Sequence, residues 1–385
     1  MTVPVMASNR IPVGGLERED MRSHTLFPSL VVAGAILAAG TWPSAAQDGW
    51  TYPILEFKPP RADATAAAPL PSLSKFTALT GAQAKAKNKI CLLLPQTQDA
   101  VFIAYVYGAT DEAKRLGQAL TVFDAGGYEH DADQRSQFEN CVTLGAKAIL
   151  IEPVNPSGWE TDIANARKAG IKVINVTEPL ASAVDGRSVI DFRVNGGLLG
   201  ELIAKDHPAG SPEVTALVLP GAAGIPFVED TVTGFKSKVA GSAVKVADVI
   251  YAGMTYTEQL KVVEDALVAH PDVDYIVGNA MAISQAINVL AQRGITDKVK
   301  LLVTYLDPDI LEAIKEGKIL AGTAESSVML KRIAVNLAVG AVNGDTVVHD
   351  VVPEVGLVTK KNAGDPAIAK QNFPPAGWKP IFKVD

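Results

Sequence analysis

The sequence predicts an α/β protein of two lobes, each a parallel sheet covered on both faces by helices. Three observations lead there. From Lys89 onward, short apolar runs rich in Val, Ile and Leu alternate with amphipathic helical segments. Those runs are apolar throughout rather than alternating with polar residues, the pattern of strands buried on both faces. The alternation runs from Lys89 to Pro179 and restarts near Asn195, giving two units of similar size in a 385-residue chain, a length that suits two domains. Crossovers between parallel strands are expected to be right-handed.

The elements follow in order. "KICLLLP" (89–95) reads as a strand, and 99–117 as an amphipathic helix stopped at Gly117. A strand at 119–127, a helix at 131–145 ending in Gly145, a strand at 146–154, a helix at 159–170 and a strand at 171–179 complete the first lobe. The second lobe opens with a helix at 195–207. Strands at 214–222, 244–253, 273–279 and 299–306 then alternate with helices at 228–241, 256–271, 282–294 and 309–317. The segment 318–327, a helix at 328–344 and the apolar stretch 351–359 come last. Residues 61–88 are rich in Ala, Pro, Ser and Lys without periodicity, and residues 47–88 as a whole read as a mobile or extended lead-in. "GWTYPILEF" (49–57) interrupts that stretch with Trp50 and Tyr52.

Residues 1–46 stand outside the fold. Arg22 and His24, an apolar segment at 30–39 and Ser44-Ala45-Ala46 before Gln47 are the layout of a secretory signal peptide cleaved near Ala46. The apolar segment is shorter than the ~20 residues a membrane span needs. The chain therefore reads as exported and not membrane-inserted. The first 20 residues make an unusually long polar start, read as an upstream misannotation ahead of Met21; a genuine N-terminal extension is the other reading.

Composition and motifs exclude several classes. A net charge of −7 gives nucleic acid or an anionic membrane surface no handle. Cys91, Cys141 and five scattered histidines build no metal cluster. There is no P-loop and no G-x-S-x-G elbow, and "GLLG" and "GAAG" do not make a dinucleotide fingerprint. His130, His207, His270 and His349 read as surface residues without partners. No cofactor is implied, and the chain is expected to bind rather than catalyse. Cys91 on a strand and Cys141 on a helix are read as two buried thiols, a disulfide staying open because of export.

In such sheets ligands sit in the loops at the carboxyl ends of the strands. There the first lobe offers Gln98, Asp99 and Phe102, then Tyr128, then Trp159; the second offers Phe227, Asn279, Tyr305 and Asp307. Polar groups and rings facing each other across two lobes make a small concave binding site. Aromatic faces attract onium-like centres by ~0.5–2 kcal/mol each. Trp50, Tyr52, Trp159 and Tyr305 are therefore the expected cage, Trp159 and Tyr305 foremost because each follows a strand end. Taken singly, each ring has a competing explanation in ordinary packing.

"QFENCVTLGAKAILIEPVNPSGW", "ARKAGIKVINV" and "TGFK" (233–236) resemble the type I periplasmic binding proteins of the ribose-binding kind. "DAGGY" (124–128), "FVEDTVTGFK" (227–236), "QLKVVEDAL" (259–267), "DYIVG" (274–278), "RGITDKVK" (293–300) and "RIAV" (332–335) resemble the TorT-type periplasmic sensors of trimethylamine N-oxide. The resemblance implies two Rossmann-like lobes joined by three hinge crossovers, near 187–195, 323–327 and 349–354. The first lobe would take 89–190 plus 324–348, and the second 191–323 plus 349–385. It implies closure around a small polar ligand, with the four rings above as the cage for the methylated nitrogen. Where sugar binders place an Arg before the Gly234-Phe235 helix, this chain has Glu229, which disfavours a plain sugar. In the first loop Ala100 replaces the family's proline, and Asp307 has no counterpart in the TorT pattern. The partner implied is the periplasmic domain of a sensor histidine kinase. The alternative is a receptor delivering a sugar or other small solute to an ABC permease.

Overall fold

The computed structural model describes residues 49–66 and 70–385. The predicted signal peptide and its cleavage site near Ala46 lie outside the described residues. The described chain opens with a hairpin of β1 (Thr51–Glu56) and β2 (Ser72–Thr77). The first lobe then winds through β3 (Lys89–Leu94), α1 (Ala100–Arg115), β4 (Ala119–Asp124), α2 (Asp131–Thr143), β5 (Ala148–Ile151), α3 (Glu160–Lys168), β6 (Lys172–Thr177) and β7 (Gly186–Val189). The second lobe holds α4 (Phe192–Asp206), β8 (Val214–Leu219), α5 (Pro226–Val239), β9 (Val244–Val249), α6 (Tyr256–Ala269), β10 (Tyr275–Gly278), α7 (Ala280–Arg293), β11 (Lys300–Val303), α8 (Pro308–Glu316) and β12 (Ala321–Ala324). The chain returns to the first lobe as α9 (Ser327–Val342) and β13 (Asp350–Pro353), adds β14 (Gly356–Thr359) to the second sheet, and ends with α10 (Pro366–Asn372) and β15 (Lys383–Val384).

The first sheet has the order β15-β4-β3-β5-β6-β7-β13-β1-β2 and the second β14-β12-β11-β10-β8-β9. Strands β4 to β13 of the first sheet pair in parallel, flanked by antiparallel β15, β1 and β2. The second sheet is parallel except for β14. Burial explains the apolar runs: every residue of β5 and β10 is buried, because helices cover both faces. The chain passes between the two sheets at 190–191, 325–326 and 354–355.

Four readings need correction. The described residues from 49 to 88 are not a loose lead-in. β1 alternates exposed and buried residues, so Tyr52 and Ile54 join the first core, and β2 contributes Phe76. Arg61 then grips Asp350 with two parallel hydrogen bonds of 2.8 and 2.7 Å. The stretch 351–359 is not one element, and 349–385 is not wholly second-lobe. Strand β13 extends the first sheet, Pro353 ends it, and β14 starts in the second. After β14 the tail goes back, with β15 pairing β4 in the first sheet. Finally, Cys91 and Cys141, read as two thiols, are joined as a disulfide between β3 and α2, with Cα atoms 6.2 Å apart. Nor are His130, His207 and His349 without partners: they contact Asp133, Tyr275 and Glu56 at 2.7, 2.8 and 2.9 Å.

Trp159 sits under the outer face of the first sheet. It is fully buried among Leu93, Phe138, Ile149 and Ile163. Its ring lies 5.6 Å from that of Phe138 and 4.4 Å from the Arg135 guanidinium, and its indole N–H donates to the Asn155 carbonyl at 2.8 Å. Trp159→Ala is therefore expected to cost about 3–5 kcal/mol of folding stability, read from chemical denaturation. A loss under 1 kcal/mol would contradict its placement in the core.

Candidate functional site

Strand ends meet helix starts along the interlobe cleft, and the caps position the chemistry. After β3 the chain turns at Pro95, and Gln96 Oε1 accepts hydrogen bonds from the Gln98 and Asp99 amides at 2.5 and 3.1 Å. Asp99 caps α1, its Oδ1 accepting from the Val101 amide at 3.1 Å. Its Oδ2 accepts at 2.8 Å from the hydroxyl of Tyr305, which follows β11 in the other lobe. One carboxylate thus ties a helix start to the opposite lobe.

Behind that contact lies a cavity of about 40 Å³, room for about three waters or the head of a small solute. Its first-lobe wall carries Phe102 and Tyr105 from α1, Tyr128 after β4, Glu152 after β5 and Glu178 after β6. The second lobe supplies Phe192 and Asn195 from α4, Phe227 and Thr231 from α5, Met254 and Tyr305, and Glu325 stands at the crossover after β12. The rings pack as a wall: Phe192–Phe227 centroids are 5.6 Å apart, and Tyr128–Phe227 6.1 Å across the lobes. A wider cleft of about 590 Å³ shares Gln96, Asp99, Tyr128 and Met254 with this cavity.

The electrostatics are one-sided. Asp99, Glu152, Glu178 and Glu325 are all buried and line the cavity, whereas no Lys or Arg does. Lys331 stands beside them, fully buried on α9. It donates to Glu152 at 2.7 Å and to Thr177 Oγ1, with its ammonium 4.2 Å from the centre of the Tyr105 ring. Burial lowers the Lys331 pKa against the opposing pull of Glu152. Glu178 accepts from the Tyr128 hydroxyl at 2.9 Å; burial, then the Glu152 charge, pushes its pKa well above the carboxylate range. Glu325 accepts from Asn195 Nδ2 at 2.5 Å, and burial lifts it to about 8. Burial raises Asp99 too, with the Tyr305 hydroxyl working against it. Asn195 Oδ1 is buried without a hydrogen-bond partner among the described residues. Thr177 adopts φ +58°, a conformation costly for a β-branched residue; it holds the turn from which Glu178 faces the cavity.

The residues expected from sequence divide. Asp99, Phe102, Tyr128, Phe227 and Tyr305 are brought together in the cavity wall, and Gln98 lines the outer cleft. Trp50 lies elsewhere on the first lobe, its indole N–H donating to Glu112. Tyr52 is buried with its hydroxyl 2.6 Å from Ser326 Oγ at the second crossover. Trp159 packs in the core, so the expected four-ring cage is not assembled. Asn279 and Asp307 cap α7 and α8, accepting from Ala282 at 2.9 Å and Ile310 at 2.7 Å. Burial lifts Asp307 to about 6. Missed were Glu178, Asn195, Glu325 and Lys331. The signals were there: two successive strands each end in Glu-Pro, at 152–153 and 178–179, and a lysine interrupts the apolar run "VMLKRIAV".

The sequence model of the periplasmic binding protein domain matches residues 90–346. The chain belongs to that family, in its type I form. It is 26% identical over 309 residues to periplasmic protein TorT of Escherichia coli K12, covering 80% of this chain and 88% of that one. A solved ABC transporter solute-binding protein from Bradyrhizobium sp. BTAi1 with bound Bis-Tris superposes with a TM-score of 0.76 at 35% identity, covering 86% and 98% of the two chains. A complex of the TorS sensor domain with TorT in the presence of trimethylamine N-oxide gives a TM-score of 0.71 at 25% identity, covering 77% and 100%. The family is one of binding and sensor proteins. Among the described residues no cluster of His, Cys, Asp or Glu is placed to hold a metal, and no helix is long and apolar enough to cross a membrane.

Two outcomes are expected from the geometry. Tyr305→Phe removes the hydrogen bond to Asp99, worth about 1.5–3 kcal/mol for a charged acceptor. The ligand-free variant should sample a wider cleft, read as a larger radius of gyration by small-angle scattering. Glu325→Gln should alter the pH dependence of stability. A carboxyl with a folded pKa near 8 keeps its proton where the unfolded chain has lost it. Its stabilising share is therefore full below the unfolded value of about 4.3 and is lost as pH rises through the folded value. The melting temperature of the variant should gain on that of the unmodified protein between about pH 5 and pH 8.5; parallel curves would remove Glu325 from that role.

Proposed function

We propose that the protein is a periplasmic receptor that closes on a compact organic cation, an ammonium-type solute. The carrying observation is the cavity wall, where aromatic faces and four buried carboxylates surround a space with one lysine nearby, already held by Glu152. Rings and carboxylates together suit a desolvated ammonium centre. Periplasmic residence is supported by the signal-peptide layout and by the relatives. Bis-Tris, bound by the Bradyrhizobium relative, is a tertiary amine with hydroxyls, and its protonated form belongs to this ligand class. Trimethylamine N-oxide shares the onium nitrogen but carries no net charge, so the acidic wall favours a related methylated or amino compound with a net positive charge.

The liganded form acts by offering a membrane partner a surface that the open form lacks. The first reading of that partner is the periplasmic domain of a sensor histidine kinase, supported by the likeness to TorT and its complex with TorS. The second is an ABC permease, favoured by the Bradyrhizobium relative. Thermal-shift measurements with tetramethylammonium, choline, trimethylamine N-oxide, glycine betaine and ribose test the ligand class. Cations should raise the melting temperature, with stabilisation of about 2.7 kcal/mol at one hundred times Kd. A shift with ribose alone would overturn the reading.

A further inference from the structure

We propose that Glu178 and Glu325 are the proton-exchanging counter-charge of the ligand: in the ligand-free protein they hold protons, and entry of an ammonium centre expels about one to solvent. This rests on the reading of the cavity as an ammonium site and adds what that reading does not contain, a coupling of ligand charge to proton release.

The four cavity carboxylates differ in their partners. Of the four carboxylates lining the cavity, Glu152 has Lys331 at 2.7 Å. Asp99 has the α1 amide, the helix start and the Tyr305 hydroxyl. Glu178 and Glu325 have neutral donors only, the Tyr128 hydroxyl and the Asn195 amide. Facing Glu178 are Tyr128, Glu152, Lys331 and Glu325. Facing Glu325 are Asp99, Tyr105, Glu152 and, from the second lobe, Asn195. Tyr305 and Lys331 also feel the Glu325 charge. Two carboxylates and one ammonium thus face Glu178, Glu325 faces Asp99, Glu152 and Glu178, and full ionisation would leave the cavity with excess negative charge. Buried like charges resolve this by keeping protons, and the directions for Glu178 and Glu325 agree with that.

A cation reverses the balance. An opposite charge within a few ångströms favours the ionised carboxylate, so the carboxyl O–H breaks, its electron pair stays on oxygen and the proton leaves to the buffer. The carboxylate and the ammonium remain as an ion pair. Asn195 Oδ1, unpartnered and buried, stands as a neutral acceptor for an N–H or O–H of the same ligand. Affinity for a cation should then rise with pH, up to tenfold per unit for one proton, and flatten above about pH 8.

Calorimetry on the unmodified protein decides it. Tetramethylammonium and choline cannot lose a proton themselves, so any released proton comes from the protein. Binding enthalpy measured at pH 7 in buffers of different ionisation heat should give close to one proton released per cation. The neutral isostere 3,3-dimethylbutan-1-ol should release none. Glu325→Gln should lower the proton count and flatten the pH dependence of affinity. A permanent cation that binds without proton release and with constant affinity from pH 6 to pH 9 would overturn this proposal while leaving the ammonium reading intact. Binding of ribose but of neither cation would overturn both.

Discussion

A lysine ammonium held away from water organises the centre of this molecule. Taking such a charge out of water costs several kcal/mol, repaid only when a carboxylate and further acceptors meet it with good geometry. Lys331 meets Glu152, Thr177 and the face of Tyr105. Those partners come from the ends of β5 and β6 and from α1, so the pair fixes helix α9 against three first-lobe elements. Glu325 precedes α9 by two residues, which places its carboxyl beside the same cluster. The position of the cavity's acidic wall therefore depends on the burial of one cation.

The crossover at 325–326 is fixed in turn by segments with little periodic signal. Ser326 takes a left-handed conformation at φ +58° before α9 begins. Its amide donates to Asn372 Oδ1 at 2.8 Å, its hydroxyl lies 2.6 Å from that of Tyr52, and it reaches the Glu354 carbonyl at 3.3 Å. The N-terminal hairpin, the C-terminal tail and the third crossover thus converge on one residue of the second. A left-handed serine is tolerated where surrounding bonds over-determine it, and here they come from both ends of the described chain.

Legibility in the sequence followed the range of the interactions. Parallel strands buried on both faces wrote themselves as apolar runs, and helix stops at Gly294 and Gly317, both at positive φ, were visible as glycines. The hairpin was hidden because its partner β13 lies almost 300 residues away, and short edge strands owe their stability to that pairing rather than to local propensity. Within the site, Asp99, Phe102, Tyr128, Phe227 and Tyr305 were readable because they lie in the loops after strand ends or in the first turn of the helix that follows. Asn279 and Asp307 follow strand ends for another reason, since a helix begins there and its free amides need an acceptor. A polar residue at that position serves the cap, the ligand or, as with Asp99, a cap and the opposite lobe together. Trp159 stands at the start of α3 in the loop after β5, yet its ring is turned into the core beneath the sheet.

The way donors are used argues for the ligand's chemistry. A sugar offers hydroxyls that each give and accept, so a sugar site must supply both kinds of partner. In this cavity the Tyr128 and Tyr305 hydroxyls and the Asn195 amide are turned toward carboxylates, Asn195 Oδ1 is left as a free acceptor, and other polar side chains of the wall, among them Gln96, Thr231 and Thr304, are neutral. No Lys or Arg lines the wall to serve as a further donor. On the cationic reading proposed above, a solute that brings positive charge meets ring faces and carboxyls that ionise as it enters. Under that reading, discrimination against a neutral sugar comes from charge, the one property a polyol cannot offer these carboxyls.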